Sequence, residues 1–262
     1  MNGSMRTSAS GMAAQQQMID VIANNLANVN TTAFKRSRVS FEDVLYETLQ
    51  GSRIVNYQGS QTVAPVQIGK GVRVGAVVRL DTQGAPEVTN RPLDVAIEGD
   101  GFIQVQRPDG STAYTRDGSL TISDQGQITT NDGYVVLPGI TIPSDASGVT
   151  ISANGTVSVQ QSGSTQPVEL GRVELARFLN TSGLLALGEN QYQGTPASGD
   201  PILGYPQDEG FGTLTQGSLE TSNVEIVQEM TDMIAAQRAY EINAKAITSA
   251  ESMMQATDDI IR

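Results

Sequence analysis

Residues 222–262 read SNVEIVQEMTDMIAAQRAYEINAKAITSAESMMQATDDIIR and repeat an apolar residue at every seventh position. These positions are Ile226, Met233, Tyr240, Ile247, Met254 and Ile261. A step of seven keeps one stripe of a helix turned toward a partner, as in a coiled coil. The second track of this heptad is mixed, with Met230 and Ala244 but also Gln237 and Glu251. The spacing predicts one long helix within a C-terminal segment, 218–262, that starts at a capping box of Ser222 and Glu225.

Such a helix needs partners, because roughly 38 residues make a rod about 57 Å long, longer than a small domain is wide. The first 35 residues carry a matching stripe and predict an N-terminal helix in a segment 1–35. Its apolar residues are Met5, Met12, Ile19 and Leu26, with Ala9, Ile22 and Val29 beside them. A single helix pair leaves Met18, Val21, Met253 and Ile260 uncovered, which favours a bundle of several subunits. An ordinary helix hairpin within one chain remains the alternative.

The N-terminal helix runs out in ANNLANVNTTAFKR, residues 23–36, which is rich in asparagine. Asparagine is a poor helix former, and Asn30 fits a helix cap. Asn24, Asn25 and Asn28 predict instead a neutral hydrogen-bonding face that meets another subunit without burying charge. The basic residues that follow, Lys35, Arg36 and Arg38, predict a solvated exit from the helix.

Residues 36–71 predict a short helix followed by an extended linker. Ser40 and Asp43 resemble a capping box, and Phe41, Val44, Leu45 and Leu49 recur at helical spacing, so the helix is expected over about 41–49. From residue 50 to residue 70 no helical period remains, and the segment is expected to be extended or looped.

Residues 72–217 change to a period of two and predict an all-β domain. Pairs such as Val95 with Ile97 and Ile103 with Val105 alternate with polar residues, as in half-buried strands. Turn signals such as PDG (108–110) and NDG (131–133) separate them. The predicted fold class is therefore α+β, with coiled-coil-forming helices at the N- and C-terminal ends flanking a hairpin-rich antiparallel β domain.

Composition excludes most catalytic chemistry. The 262 residues include no cysteine and no histidine, which removes thiolate chemistry, Ser-His-Asp triads and nearly all zinc sites. The carboxylates Glu98, Asp100, Asp109 and Asp117 are not expected to form a glycosidase pair or a calcium site, because Asp109 and Asp117 lie in hairpin turn signals, where aspartate is expected for backbone reasons. IGKGVRVG (68–75) lacks the spacing of a nucleotide loop. We predict that the chain is not an enzyme and has no catalytic residue, cofactor site or metal site.

Composition also bears on partners. A net charge of −12 argues against nucleic-acid binding, and no run of 18 apolar residues predicts insertion into a membrane. Residues 1–17 lack the continuous apolar stretch of a secretory signal peptide.

Two long motifs resemble the axial proteins of the bacterial flagellar rod and hook. They are SGMAAQQQMIDVIANNLANVNTTAFKR (10–36) and QRAYEINAKAITSAESMMQATDDI (237–260). Further segments, including FEDVLYETL (41–49) and DVAIEGDGFIQVQRPDGSTAYTRDGSL (94–120), are most similar to the members that form the distal rod. The resemblance spans nearly the whole chain. Ala33 departs from it, because the family usually has glycine there.

The resemblance implies a structural protein that polymerises helically into the straight, hollow distal rod, a shaft that transmits torque from motor to hook. Its partners would be other copies of itself, the proximal rod and hook proteins, the ring proteins around the rod and the flagellar type III export apparatus. It would lie in the basal body across the periplasm after export without a cleavable signal peptide. Residues 46–68 would help lock subunits into a stiff shaft. Alternatives are a proximal rod or hook subunit, or a periplasmic or cell-surface β domain that binds glycan and oligomerises through its helices.

We predict that a subunit interface forms along both helices. Its residues are Met12, Ile19, Ile22, Asn24, Asn25, Leu26 and Asn28 on the first helix, and Ile226, Met233, Tyr240, Ile247 and Met254 on the second.

Overall fold

The computed structural model describes residues 3–50, 53–56, 60–63, 65–161 and 166–261. The fold is α+β, with packed N- and C-terminal helices flanking a central antiparallel β region, which confirms the predicted fold class. The chain forms two compact units. We call residues 1–27, 37–79 and 225–262 the helical unit, and residues 28–36 and 80–224 the β unit. The domains predicted from the sequence, 1–35, 36–71, 72–217 and 218–262, divide the chain at other positions and stay a prediction.

The helical unit contains both helices, α1 (Gly3–Ala27) and α2 (Ile226–Ile261). Asn25 of α1 donates a hydrogen bond to Glu229 near the start of α2. At the other end of α1, Gly11 lies against Asn243. The two helices therefore run antiparallel. Because α2 has 36 residues and α1 has 25, the last turns of α2 extend past the start of α1. None of the described helices is long and apolar enough to span a membrane.

A long two-stranded ribbon completes the helical unit. Its strands are β1 (Ser37–Asp43), β2 (Tyr46–Gln50), β3 (Arg53–Asn56), β4 (Ser60–Val63), β5 (Val66–Gly69) and β6 (Val72–Arg79). They pair as nested hairpins, β1 with β6, β2 with β5 and β3 with β4. Positions 51, 52, 57–59 and 64 of the predicted linker lie outside the described residues.

The predicted helix over 41–49 is wrong, because β1 and β2 occupy these residues. The register of β1 shifts between Ser40 and Phe41, and that of β2 shifts between Thr48 and Gln50. A bulge inserts one residue and changes which face the following side chains occupy. The two bulges therefore interrupt the period of two, and the remaining apolar spacing resembles that of a helix.

The β unit contains sixteen described strands, all paired antiparallel. They are β7 (Pro86–Val88), β8 (Val95–Glu98), β9 (Phe102–Gln106), β10 (Thr112–Thr115), β11 (Leu120–Ile122), β12 (Ile128–Thr130), β13 (Val135–Val136), β14 (Ala146–Ile151), β15 (Thr156–Gln161), β16 (Val168–Arg172), β17 (Leu175–Arg177), β18 (Leu185–Gly188), β19 (Gln191–Gln193), β20 (Ile202–Gly204), β21 (Thr213–Gln216) and β22 (Ser218–Glu220). A 3-10 helix covers Thr181–Gly183.

Nine of these strands form one sheet in the order β11-β12-β13-β9-β10-β19-β18, and β17 joins β9 to β20. Strands β14, β15 and β16 form a second sheet, while β8 pairs with β21 and β7 with β22. The inward side chains form one aliphatic core that includes Ile97, Ile103, Val105, Val157, Val159 and Leu175. A smaller, largely aromatic cluster contains Phe102, Tyr114, Ala176, Phe178, Leu184 and Tyr192.

The start of α2 differs from the predicted capping box. The helix begins at Ile226, and residues 218–220 form β22 instead. The Ser222 hydroxyl accepts a hydrogen bond from the Val224 N–H, 3.3 Å away, before the helix starts. Ser222 and Glu225 therefore do not occupy the N-cap and N3 positions that a capping box requires.

Candidate assembly interface

The face of α2 that packs on α1 is made of small and polar residues. Glu229, Ala236, Asn243 and Ala250 recur at every seventh position, and the exposed fractions of Glu229, Ala236 and Ala250 are 1%, 2% and 6%. A Cβ atom at Gly11 would lie 3.1 Å from the Asn243 side chain, so the helix axes approach closely there. The pair within one chain therefore uses a different stripe from the apolar heptad track found in the sequence.

The predicted track of α2 lies beside this contact face. Met233 and Ile247 are half-buried, whereas Ile226, Tyr240 and Met254 expose 47%, 38% and 39% of their surface. On α1, Ile22 is buried, while Met12, Ile19 and Leu26 are half-buried. The single chain thus covers its own apolar stripes only in part.

Further apolar residues of α2 are more exposed than the predicted track. Val227, Met230 and Ile234 lie on one face at helical spacing with exposures of 74%, 52% and 57%. Ile242 and Met253 follow at 67% and 66%. A helix with apolar residues on several faces is typical of one surrounded by protein.

The predicted asparagine face divides among three environments. Asn24 is exposed, and Asn28 is half-buried in the β unit, where its Oδ1 accepts a hydrogen bond from the Thr31 hydroxyl at 3.1 Å. Asn25 is 1% exposed, and its amide is used within the chain. Its Oδ1 accepts from the Ser37 N–H, and its Nδ2 donates to the Ser37 carbonyl and to Glu229 Oε2.

The Asn25 amide is therefore engaged within the single chain, and its predicted contact with another subunit stays a prediction. Ser37 is the first residue of β1, and its N–H and C=O are both paired by the one Asn25 amide. A primary amide offers a donor and an acceptor on one short side chain, so no other residue type does this as compactly. Asn25 fastens α1 to α2 and to the ribbon within the same chain.

Replacing Asn25 with alanine is expected to destabilise the helical unit by about 1 to 3 kcal/mol, since it leaves buried partners at Ser37 and Glu229 unsatisfied. Urea unfolding followed by helical circular dichroism measures this. The matched control is Asn24→Ala, next to it but exposed, for which we expect a change within about 0.5 kcal/mol in stability and a larger effect on polymerisation. Equal losses of stability in both variants would contradict these separate roles.

A buried ionic cluster forms in the β unit around Glu220, the last residue of β22. Glu220 Oε1 accepts from Lys35 Nζ at 2.5 Å and from the Gly84 N–H at 2.9 Å. Glu220 Oε2 accepts from Arg116 Nε at 2.9 Å. The side chains of Lys35 and Glu220 are 2% and 1% exposed. A Cβ atom at residue 84 would lie 1.9 Å from the Thr221 carbonyl oxygen, so the approach of Gly84 requires glycine.

The charges in this cluster are unequally stabilised. Burial alone would raise the pKa of Glu220, but the Arg116 guanidinium and the bond from Lys35 outweigh it, so the pKa of this carboxyl lies below its ordinary value. The pKa of Lys35 is lowered, first by burial and also by the charge of Arg116, and the hydrogen bond and charge of Glu220 offset this only in part. The surroundings of Glu220 thus favour its charged form, whereas the charged form of Lys35 depends on its partner Glu220. The predicted solvated exit is wrong at Lys35, because this side chain is buried and paired with Glu220. Ala33, two residues earlier, adopts φ +56°.

Asn223 joins two other segments of the β unit, around residues 34–36 and 80–82. Its Oδ1 accepts from the Arg36 N–H at 2.7 Å, and its Nδ2 donates to the carbonyl oxygens of Leu80 and Thr82 at 2.8 and 3.0 Å. The Asn223 N–H also donates to the Phe34 carbonyl. Neither Asn223 nor Glu220 was predicted from the sequence, where both lie in the short polar run ETSN (220–223) before a helix start. Their partners are more than 100 residues away in sequence, so no local pattern could have identified them.

Models of three protein families match the chain. One, described as a flagella basal body rod protein, matches residues 5–35, and one, the flagellar hook protein FlgE/F/G D1 domain, matches residues 96–159. The third, the C-terminal part of flagellar basal body rod FlgEFG proteins, matches residues 215–260. The matched segments include α1, much of the β unit and α2.

Full-length relatives carry the same kind of name. The chain is 49% identical to the flagellar basal-body rod protein FlgG of Caulobacter vibrioides over 98% of each chain. It is 47% identical to FlgG of Borreliella burgdorferi over 98% of this chain and 97% of that one. FlgG of Bacillus subtilis is 39% identical over 96% of each chain.

Proposed function

The chain belongs to the FlgG family of flagellar basal-body rod proteins, and from this we propose that its copies polymerise helically, through α1 and α2, into a straight, hollow shaft. As a member of that family it is a structural component of the distal rod and serves motility; it is not an enzyme. The resemblance read from the two end motifs is thereby confirmed. Transmission of torque from motor to hook is the mechanical part of the proposal.

One observation carries the proposed mode of assembly, namely the apolar surface that α2 leaves uncovered within a single chain. Ile226, Tyr240 and Met254 on the predicted track are all at least 38% exposed. Exposed apolar residues in such number on one helix mark a protein contact. The helices of neighbouring copies would cover these three residues. Met12, Ile19 and Leu26 of α1 would form the other side of that contact.

The ribbon supports the proposal that residues 46–68 stiffen the shaft. Tyr46, Leu49 and Ile68 in β2 and β5 expose 55%, 62% and 55% of their surface, and Leu45 before β2 exposes 84%. A two-stranded ribbon is only marginally stable alone in water. We propose that adjacent copies pack on these side chains and so lock the subunits against bending.

The remaining partners follow from family membership. We propose that the shaft is continued by hook proteins, is built on proximal rod proteins and turns inside ring proteins as it crosses the periplasm. Its subunits would reach that place through the flagellar type III export apparatus. No described feature favours the alternative of a glycan-binding β domain.

Location in the basal body tests this function. A tagged copy of the chain, produced in a flagellated bacterium that lacks its own distal rod protein, should restore motility. Label in isolated basal bodies should appear between the proximal rod and the hook by electron microscopy. Purified full-length protein at high concentration should form tubes of uniform width. Label on the hook, or a small defined oligomer in place of tubes, would contradict the proposal.

A further inference from the structure

The net charge of the chain is confined to one part of it. Residues 80–224 contain 17 Asp and Glu against 5 Arg and no Lys, a net charge of −12. The remaining residues, 1–79 and 225–262, contain 11 acidic and 11 basic residues, a net charge of zero. The part that holds both helices is thus neutral, and the whole excess of negative charge belongs to the stretch that builds the β unit.

The surface of this stretch is more one-sided than its composition. Twelve carboxylates are exposed, whereas Arg91 is the only exposed arginine among the described residues 80–161 and 166–224. The exposed carboxylates are Glu87, Glu98, Asp100, Asp109, Asp124, Asp132, Asp145, Glu169, Glu189, Asp200, Asp208 and Glu209. Arg91 itself lies 3.6 Å from the buried carboxylate of Asp94.

The other arginines are engaged inside the β unit. Arg116 is buried against Glu220. Arg172 stacks on the Tyr205 ring at 4.3 Å and donates to the carbonyl oxygens of Asn154 and Pro206. Arg177 and Arg107 lie over aromatic rings, Phe211 at 5.7 Å and Tyr134 at 5.9 Å. Few cationic groups therefore remain on this surface to pair with the carboxylates of a neighbouring copy.

We propose that the β unit is a self-repelling surface, so that ionic strength sets the concentration at which the chain begins to polymerise. This rests on the proposed function, because repulsion matters only where copies are brought side by side. The helical unit, with 11 acidic and 9 basic residues, is nearly neutral and supplies the attraction between copies, whereas like charges on adjacent β units, each with 17 acidic and 7 basic residues, oppose close approach. Screening decides the balance, since the Debye length falls from about 10 Å at 0.1 M salt to about 3 Å at 1 M.

Two consequences distinguish this arrangement from a generally acidic protein. Salt should promote assembly, because it screens the repulsion between β units. For contacts held by ion pairs, salt has the opposite effect and weakens assembly. In addition, single chains should remain dispersed at low salt despite the exposed apolar residues of α2, because net charge keeps proteins soluble and apart.

The test compares full-length wild type with two fourfold variants. The neutralised variant is Glu87→Gln, Asp132→Asn, Asp145→Asn and Glu169→Gln, at exposed carboxylates of the β unit. The matched control keeps the charge at the same positions, with Glu87→Asp, Asp132→Glu, Asp145→Glu and Glu169→Asp. The critical concentration for polymer formation is measured by sedimentation at 0.1 M and 1 M NaCl.

We expect the critical concentration of wild type and control to fall by about tenfold or more between 0.1 M and 1 M NaCl. The neutralised variant should begin lower and fall by no more than about threefold. Because all three experience the same effect of salt on apolar contacts, the difference in slope isolates the β-unit charges. Equal slopes in all three proteins, or a critical concentration that rises with salt, would overturn the inference alone. Absence of polymer from wild type at both salt concentrations would overturn the proposed function and, with it, this inference.

Discussion

Replacing Glu220 with alanine is expected to lower the free energy of unfolding of the β unit by about 3 to 5 kcal/mol. The change removes the only carboxylate that bonds both Lys35 and Arg116 among the described contacts, and it leaves two buried cations with only carbonyl oxygens as partners. A buried charge that loses its partner cannot recover its hydration, so the cost exceeds that of losing a surface ion pair. Since domains are stable by only about 5 to 15 kcal/mol, a large share of the stability is at stake. Urea unfolding followed by tyrosine fluorescence measures it.

The control for this prediction lies in the neighbouring strand. Glu87 of β7 is exposed and faces Leu219, next to Glu220 in β22. Glu87→Ala should change stability by no more than about 0.5 kcal/mol. A loss below about 1 kcal/mol for Glu220→Ala would mean that other polar groups or water compensate Lys35 and Arg116. The cluster would then contribute little to the stability of the β unit.

The pH dependence gives a second readout of the same cluster. The pKa of Glu220 in the folded chain lies below its ordinary value of 4.5. The unfolded state therefore binds the proton more readily, and the stability that the carboxylate contributes is fully present above that ordinary value. It is lost as the pH falls through the lower, folded pKa. The difference in stability between wild type and Glu220→Gln should accordingly shrink below pH 4.5.

The helices show how far the sequence determines this fold. The heptads predict α1 and α2 correctly, because a 3.5-residue apolar period is compatible with no other element. They do not identify which stripe of α2 packs on α1. An apolar track was expected there, whereas the structure uses Glu229, Ala236 and Asn243. Small and amide residues allow helices to approach closely. Which stripe of α2 packs on α1 depends on the surface that a single chain buries before it meets other copies.

The ribbon and the ionic cluster were missed for a different reason. Bulges at Ser40 and near Leu49 shift the strand period, so a local window shows helical spacing where strands form. Lys35 lies in a basic cluster that resembles a solvated helix exit, yet its partner Glu220 is 185 residues away. Only the tertiary fold brings these charges together, and the local periodicity of the sequence does not predict this contact.

Replacing Ile247 with aspartate is expected to abolish polymerisation while the β unit stays folded. Ile247 is half-buried and continues the stripe that Tyr240 and Met254 expose. Burying such a side chain contributes about 1.5 to 3 kcal/mol, and a carboxylate there adds the cost of losing its hydration. Each 1.4 kcal/mol is a factor of ten, so the critical concentration should rise by about a hundredfold or more. Sedimentation measures the polymer, and urea unfolding followed by tyrosine fluorescence, to which the β unit contributes four of the seven tyrosines, checks that this unit stays folded.

The matched control adds the same charge two residues further along α2. Ser249 is exposed, so Ser249→Asp changes helix charge and propensity equally without touching the apolar stripe. If Ser249→Asp polymerises like wild type and Ile247→Asp does not, the stripe through Tyr240, Ile247 and Met254 is the contact between copies. Polymers of normal yield from Ile247→Asp would instead refute this assignment. The contact would then have to lie on the more exposed face of Val227, Met230 and Ile234, since copies that assemble through α2 have to cover one of these stripes.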